Sequence, residues 1–230
     1  AAAAAIEAPD RIALARRLLT YRLPWLGPAI DALCPPDLDP DGPIPPRPVL
    51  LAGPADRGQS DVVTALSLLV DVAYAAEAAP SLTTRPERAL RAAVQATGRS
   101  GPLMLRLDAV DDLDAGQAAR LVEVLRAEGF LPTRDDQARP AMARGLVMLA
   151  ETCERVPDVL RRDARVVPVE APGPAHAAHV AELLGTAVAI ERRLAGAWEL
   201  PLSDRTWADL HDRIAAGASL GEIRARIERS

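Results

Sequence analysis

Short apolar segments that alternate with helical segments constrain the fold of this chain more than any other feature. Runs of this length, bounded by turn residues, are typical of strands buried on both faces of a sheet. The predicted strands are Val49–Ala52, Leu69–Ala73, Leu103–Leu107, Gly145–Ala150 and Val166–Val169. The predicted helices between them are Ser60–Leu68, Pro86–Ala96 and Ala115–Glu128. This alternation predicts an α/β fold with a parallel, doubly wound sheet and right-handed crossovers.

The segments on either side of this core have a different pattern. Residues 1–48 contain two predicted helices, Arg11–Leu19 and Pro28–Leu33, followed by a connector over Pro35–Pro48 that is too rich in proline for a helix or a central strand. Residues 173–230 are predicted to be wholly helical, with helices over Ala175–Leu184, Ala187–Leu194, Ser203–Ala215 and Ser219–Arg229. We therefore expect three parts: N-terminal helices and connector (1–48), an α/β core (49–172) and a small all-helical lid (173–230).

Composition argues against several classes of function. The chain has a net charge of −5, with no lysine and no asparagine, so it has no overall attraction for nucleic acid or anionic membranes. Cys34 and Cys153 lie far apart without metal-ligand spacing, which argues against a disulfide framework or a zinc site. No apolar run reaches the roughly 18 residues of a membrane span, and no signal peptide is recognisable, so we expect a cytoplasmic protein.

A glycine-rich segment follows the first strand and opens the next helix. Gly53-Pro54-Ala55-Asp56-Arg57-Gly58-Gln59-Ser60 matches the P-loop pattern, which is Gly, four residues, Gly, Lys and Ser/Thr, except that Gln59 replaces the lysine. In a P-loop the backbone N–H groups hold phosphates, the hydroxyl holds magnesium and the lysine neutralises charge. Gln59 can donate a hydrogen bond but carries no charge. A glycine-rich strand-to-helix turn that arose by chance is the alternative.

The third strand ends in an acidic residue. Leu103-Met104-Leu105-Arg106-Leu107-Asp108-Ala109 is similar to a Walker B strand, in which an Asp binds magnesium and the next residue, a Glu, polarises water. Asp108 is present, but Ala109 occupies the Glu position and cannot accept a proton. The nearby Asp111, Asp112 and Asp114 are predicted to form a solvated turn and a helix start.

The order of these motifs resembles the second ATPase module of Clp-family disaggregases, from about Arg11 to the end of the chain. Leu121–Gly129 resembles the family's leucine-rich helix, Thr133–Gln137 its Thr-Asp-Gly-Gln hairpin, and Leu146–Thr152 its sensor strand, with Thr152 in the place of the sensor Asn. The resemblance implies a P-loop AAA+ parallel sheet flanked by helices and followed by a helical lid.

Two arginine positions of the family also have counterparts. Leu160-Arg161-Arg162 resembles the segment that carries the family's arginine finger, with Arg162 as the match and Arg161 as the alternative; a plain basic helix end explains both equally well. Gly217-Ala218-Ser219-Leu220 resembles the Gly-Ala-Arg-Pro of the lid, with Ser219 in the place of the arginine that senses nucleotide. Arg224 or Arg226 is one helical turn away, although an exposed helix face explains them equally well.

Two further features bear on function. The segment Ala75–Pro86 is short and has no aromatic residue, whereas the family carries an aromatic-Gly loop there that grips substrate, so threading of a polypeptide is not expected. His176 and His179 are three residues apart, with Glu182 as the one acid in register. This spacing favours a pair of surface histidines over a metal site.

The family residues that this sequence lacks are those that bind and hydrolyse ATP, whereas the glycines, the strands and the lid helices of the family are kept. The main prediction is a catalytically inactive AAA+ module, a pseudo-ATPase altered at Gln59, Ala109, Thr152 and Ser219, that acts as a scaffold or regulatory subunit among protein partners in a homo- or hetero-oligomer. We expect no cofactor, or weakly bound ATP or ADP with magnesium. Such a nucleotide would be held by Gly53, Gly58, Gln59, Ser60 and Asp108, with Ser60 and Asp108 as the metal ligands.

Two alternatives remain. An atypical but active ATPase that remodels a protein partner would use Arg57 in place of the lysine and Asp111 or Asp112 in place of the Glu. A binding module for a peptide or nucleic acid, independent of nucleotide, would rely on scattered arginines.

Overall fold

The computed structural model describes residues 8–39, 42–82, 86–98, 102–132, 144–191 and 203–229. Its strands are β1 (Val49–Ala52), β2 (Ala73–Ala78), β3 (Leu103–Asp108), β4 (Arg144–Ala150) and β5 (Arg165–Pro168). Its helices are α1 (Ala8–Arg22), α2 (Gly27–Leu33), α3 (Gln59–Leu69), α4 (Pro86–Ala96), α5 (Ala115–Ala127), α6 (Asp158–Arg161), α7 (Ala177–Glu191), α8 (Asp204–Ala215) and α9 (Leu220–Glu228). Single 3₁₀ turns lie at Pro24–Leu26, Ala79–Leu82, Val110–Asp112, Cys153–Arg155 and Pro174–His176.

The described strands form one sheet in the order β2-β3-β4-β1-β5, and every neighbouring pair is parallel. Alternate residues of the strands enter two apolar layers, as the two-residue repeat of a strand requires. Leu51 of β1 packs in the layer that contains α1, α2, α3 and the lid helices, whereas Leu50 packs in the layer that contains α4, α5 and α6. The prediction of a parallel sheet flanked by helices and followed by a helical lid is confirmed.

Two predicted elements were wrong in their limits. The second strand is β2 (Ala73–Ala78), not Leu69–Ala73, because α3 continues through Leu69 and leaves Leu68 76% exposed. The predicted break between two lid helices at Gly185 is absent, since α7 runs unbroken through this buried glycine. Packing of α7 against the lid helices α8 and α9 outweighs the modest cost of one glycine in a helix. The predicted hairpin Thr133–Gln137 lies outside the described residues.

The connector before β1 packs tightly onto the sheet. Ile44 is 4% exposed, and a Cβ added to Gly145 of β4 would lie 1.8 Å from the Ile44 carbonyl oxygen. Only glycine allows this close backbone approach. The proline-rich segment therefore fixes the entry of the chain into β1 without forming a helix or strand of its own in its described part.

Candidate functional site

The predicted site residues converge at the carboxyl edge of the sheet. β4 lies between β1 and β3, so the glycine-rich loop that follows β1 and Asp108 at the end of β3 stand on either side of the end of β4. Strands two places apart in a sheet are about 10 Å apart. The structure thus brings Gly53, Gly58, Asp108 and Thr152 to one edge, which is where ligands bind in open parallel sheets.

The glycine-rich loop has the backbone that its sequence predicts. Gly58 has φ +95°, a conformation that favours glycine, and it lies immediately before α3. A Cβ at Gly53 would lie 2.2 Å from the Val169 carbonyl oxygen, so only glycine fits there as well. Ser60 is exposed in the first turn of α3. Both glycines of the pattern therefore stand where the backbone requires or favours glycine.

The side chain of Gln59 folds back into the loop and is 6% exposed. Its Nε2 donates to the carbonyl oxygens of Gly53 and Pro54, at 3.1 and 2.8 Å, and its Oε1 accepts the N–H of Arg57 at 3.1 Å. A glutamine has one donating and one accepting end, and both are used here. The side chain therefore supplies the acceptor that a phosphate oxygen would offer to the Arg57 N–H.

Arg57 points away from the loop interior and toward the lid. Its Nη1 and Nη2 donate to the carbonyl oxygens of Ala218 and Gly217, at 2.7 and 2.8 Å. The indole N–H of Trp25 donates to the Arg57 carbonyl oxygen at 3.0 Å and holds the same residue from the other side. Arg57 is thus not placed to do the charge work of a P-loop lysine.

Asp108 is paired within its own strand. The Nη2 of Arg106 donates to its Oδ2 at 2.8 Å, and the Nε of Arg106 lies 2.8 Å from its Oδ1. The guanidinium carbon also lies 5.9 Å from the centre of the Tyr74 ring. Sequence reasoning missed this ion pair, although residues two apart on a strand share a face and the signal was therefore present. The next residue, Ala109, offers only a methyl group and has φ 56°.

The prediction that all three aspartates after β3 are solvated was wrong for one of them. Asp111 is 7% exposed, and its Oδ2 accepts the N–H groups of Glu151 and Thr152, both at 3.2 Å. Asp112 is exposed and pairs with Arg155 at 2.9 Å, and Asp114 caps α5 in a capping box. The carboxylate of Asp111 is therefore engaged in joining the ends of β3 and β4.

Ser219 begins a lid helix. Its hydroxyl accepts the Glu222 N–H at 3.2 Å, and the Glu222 carboxylate accepts the Ser219 N–H at 2.8 Å, which is a capping box at α9. The bond from the Ser219 N–H to the carboxylate is the main cause that lowers the pKa of Glu222. Arg226 bonds Asp209 of α8 and lowers the pKa of that carboxyl, while Arg224 bonds Glu228. Both arginines that could stand in for the missing lid arginine are thus engaged within the lid.

Comparison with known proteins identifies the fold. No protein-family model matches the chain, and no curated protein matches it. Among solved structures, the crystal structure of the FIGL-1 AAA domain in complex with ADP superposes over 91% of this chain with a TM-score of 0.57 and 16% sequence identity. The chain has the AAA+ fold. It spans 66% of the length of that structure.

Arg162 lies away from the glycine-rich loop. It follows α6 near the start of β5, at the opposite edge of the sheet, and is exposed. Together with Arg47 and Arg165 it lines a cavity of about 630 Å³. Within the described part of the chain it makes no side-chain hydrogen bond or ion pair, whereas Arg161 bonds Asp158. Arg162 thus presents its charge outward and not to its own P-loop.

The two lid histidines pack against aromatic rings. His176 lies 6.1 Å from Trp25 and His179 lies 5.4 Å from Tyr21, measured between ring centres. Among the described residues, no group of three or more histidine, cysteine or acidic side chains could hold a metal ion. None of the described helices is long and apolar enough to span a membrane.

The residues of this site do not fit a magnesium nucleotide as they stand. The Gln59 amide uses the Arg57 N–H of the loop, and the acid that would hold magnesium is neutralised by Arg106. Asp56 adds a carboxylate to the loop, and like charge disfavours phosphate.

Proposed function

We propose that this AAA+ module is a pseudo-ATPase that acts as a scaffold or regulatory subunit in a protein assembly. One observation carries the proposal: the side chain of Gln59 occupies the P-loop with three hydrogen bonds, two donated and one accepted. A phosphate must displace the Gln59 amide oxygen before it can accept the Arg57 N–H. Lysine would supply a charge that attracts phosphate, whereas glutamine can offer only an uncharged hydrogen bond.

The acidic side of the site supports the same function. To bind magnesium, Asp108 would have to leave Arg106, whose side chain is 15% exposed. A buried guanidinium without its partner is costly, on the order of a few kcal/mol. Even with the metal in place, Ala109 has no group that can take a proton from water. The Arg106–Asp108 pair thus opposes magnesium binding, and Ala109 opposes hydrolysis even if magnesium binds.

The alternative of an atypical ATPase has less support. Arg57, which would replace the P-loop lysine, is bonded to two lid carbonyls. Asp111, which would replace the Walker B glutamate, is bonded to two backbone N–H groups. Asp112 is exposed and paired with Arg155. A scaffold role uses the other parts of the module instead, and the exposed Arg162 is suited to reach a neighbouring subunit. The proposed partners are copies of this chain or related ATPase subunits.

The proposal is tested by titration calorimetry with magnesium ATP and by phosphate release from the same sample. We expect no saturable heat up to about 1 mM nucleotide, equivalent to a binding free energy weaker than about −4 kcal/mol. Phosphate release should equal that of the Asp108→Ala variant. Hydrolysis that Asp108→Ala abolishes would refute the proposal.

A gain-of-function variant sharpens this test. Gln59→Lys restores the complete P-loop pattern and removes the accepting amide oxygen, so we expect nucleotide binding to become measurable while hydrolysis stays absent, because Ala109 and the Arg106–Asp108 pair are unchanged. Gln59→Leu is the matched control, since it also removes the amide but adds no charge. Absence of binding in both variants would show that the loop is closed for another reason, whereas equal measurable binding would show that the amide alone excludes nucleotide and that the charge adds nothing.

The assembly role has its own measurement. Sedimentation velocity over a range of concentrations should reveal self-association, and Arg162→Ala should weaken it, with Arg155→Ala as a control that removes an equally exposed arginine. A strictly monomeric chain would direct the search for partners to other subunits.

A further inference from the structure

The lid meets the P-loop through a cation on the loop and acceptors on the lid. Both Arg57 bonds end on carbonyls just after α8, at Gly217 and Ala218. Gly217 has φ +80°, and the N–H groups of Gly217 and Ala218 return to Ile214 and Arg213, which is a Schellman ending. A helix C-terminus carries partial negative charge, so a guanidinium is favoured there.

A second set of contacts lies beside the first. The Leu220 N–H donates to the Asp56 carbonyl oxygen at 3.1 Å, which joins the start of α9 to the loop. A Cβ on Gly58 would lie 3.8 Å from the Leu220 side chain, and a Cβ on Gly221 would lie 2.5 Å from the Asp56 carboxylate. Asp56 and Arg57 therefore hold the lid through three hydrogen bonds. The backbone of Gly58 in the loop and that of Gly221 in the lid each lie close to a side chain of the other part.

We propose that Arg57 is a latch that fixes the lid against the P-loop in the absence of nucleotide. The bond pattern joins parts of the chain about 160 residues apart, so it sets the angle between lid and core and not a local turn. A planar guanidinium holds its N–H groups in a fixed fork that matches two neighbouring carbonyls, whereas the donors of a lysine ammonium rotate about one nitrogen and have no such fixed geometry. The latch gives the module one lid position, and a scaffold needs a fixed surface.

The inference rests on the proposed function in one respect, namely that no phosphate enters the loop. Its own claim concerns the lid, and the Leu220 amide reports on it directly because its acceptor is Asp56 of the loop. Amide hydrogen exchange at Leu220 therefore measures how often the lid separates from the core. The Ala118 amide, which bonds Asp114 within α5, serves as an internal reference.

The experiment compares exchange in the full chain and in three variants by NMR. Arg57→Ala removes both lid bonds of the guanidinium, and hydrogen bonds to charged groups are strong enough that we expect Leu220 to exchange at least about tenfold faster. Arg57→Met keeps most of the stem but removes every side-chain donor, so an increase of similar size is expected. Arg155→Ala, which removes an exposed arginine of the core, should leave Leu220 unchanged.

An unchanged Leu220 rate in Arg57→Ala, with Ala118 also unchanged, would overturn the latch. Should Arg57→Ala fail to fold, Arg57→Met alone decides, and a rate equal to that of the wild type would refute the inference. Titration of the wild type with magnesium ATP separates the two proposals. Measurable binding refutes the proposal that no phosphate enters the P-loop. Faster exchange of the Leu220 amide in the arginine variants still supports the latch.

Discussion

Replacing Asp111 with alanine removes the carboxylate that joins the end of β3 to the end of β4. Its Oδ2 accepts two backbone N–H groups, both at 3.2 Å, and the residue is 7% exposed. A hydrogen bond to a charged group contributes about 1.5 to 3 kcal/mol, and these two are long, so the lower figure applies to each. The expected loss is about 3 kcal/mol of unfolding free energy.

Two further variants isolate the cause. Asp111→Asn keeps one carbonyl oxygen, which can accept both N–H groups because both already share a single oxygen, so only the charge is lost and we expect a cost of about 1 kcal/mol. Asp112→Ala is the matched control, since it removes the neighbouring aspartate from an exposed ion pair with Arg155. Exposed pairs contribute little, and its cost should stay within about 0.5 kcal/mol.

Urea unfolding followed by circular dichroism provides the measurement. With a slope of about 2 to 3 kcal/mol per molar urea, the midpoint of Asp111→Ala should fall by about 1 to 1.5 M at an unchanged slope. In a thermal scan the same loss lowers Tm by about 6 to 12 °C. If Asp111→Ala and Asp112→Ala lost equal stability, the structural role assigned to the buried carboxylate would be wrong.

Two other predictions follow from the lid and the sheet. Because an arginine lowers the pKa of Asp209, the stability that this carboxylate contributes is fully present above the ordinary aspartate pKa of about 3.9 and is lost as pH falls through the lower folded value. Asp209→Asn should therefore reduce the acid sensitivity of α8 and α9 in hydrogen exchange, and an identical pH profile would contradict this. Gly145→Ala should cost about 3 kcal/mol or more in urea unfolding, because its Cβ would lie 1.8 Å from a backbone oxygen. Gly173→Ala, where the added Cβ meets nothing within 4 Å, should stay within about 0.5 kcal/mol, and equal losses for the two glycines would refute the close approach.

The fold could be predicted from the sequence wherever strands are apolar and bounded by turn residues. Residues 49–52 and 103–107 satisfied both conditions, and the structure places β1 and β3 there. The second strand did not, since Ala73–Ala78 has no β-branched residue and lies at the edge of the sheet, where pairing with β3 decides its conformation. Local propensity instead favoured the apolar residues just before it, where α3 ends at Leu69 and the chain turns through Asp71, which has φ 58°.

For the site, the sequence located the positions but not their partners. The spacing of Gly53 and Gly58 predicted a loop between a strand and a helix, and the structure has one there. That Arg57 would reach the lid could not be predicted, because its partners are about 160 residues away and are backbone carbonyls with no sequence signal. Whether Gln59, Ala109, Thr152 and Ser219 silence the module stays a prediction, which the proposed titration tests.

The contact between Trp25 and the P-loop gives this protein an optical probe of its own. The indole is 8% exposed and donates to the Arg57 carbonyl oxygen, so its fluorescence reports the polarity at the base of the loop. Opening of the loop admits water to the ring and shifts the emission to longer wavelength. Of the three tryptophans, Trp207 is 37% exposed and Trp198 lies outside the described residues. Phenylalanine at those two positions leaves one emitter, and the state of the loop can then be followed in a cuvette without any label.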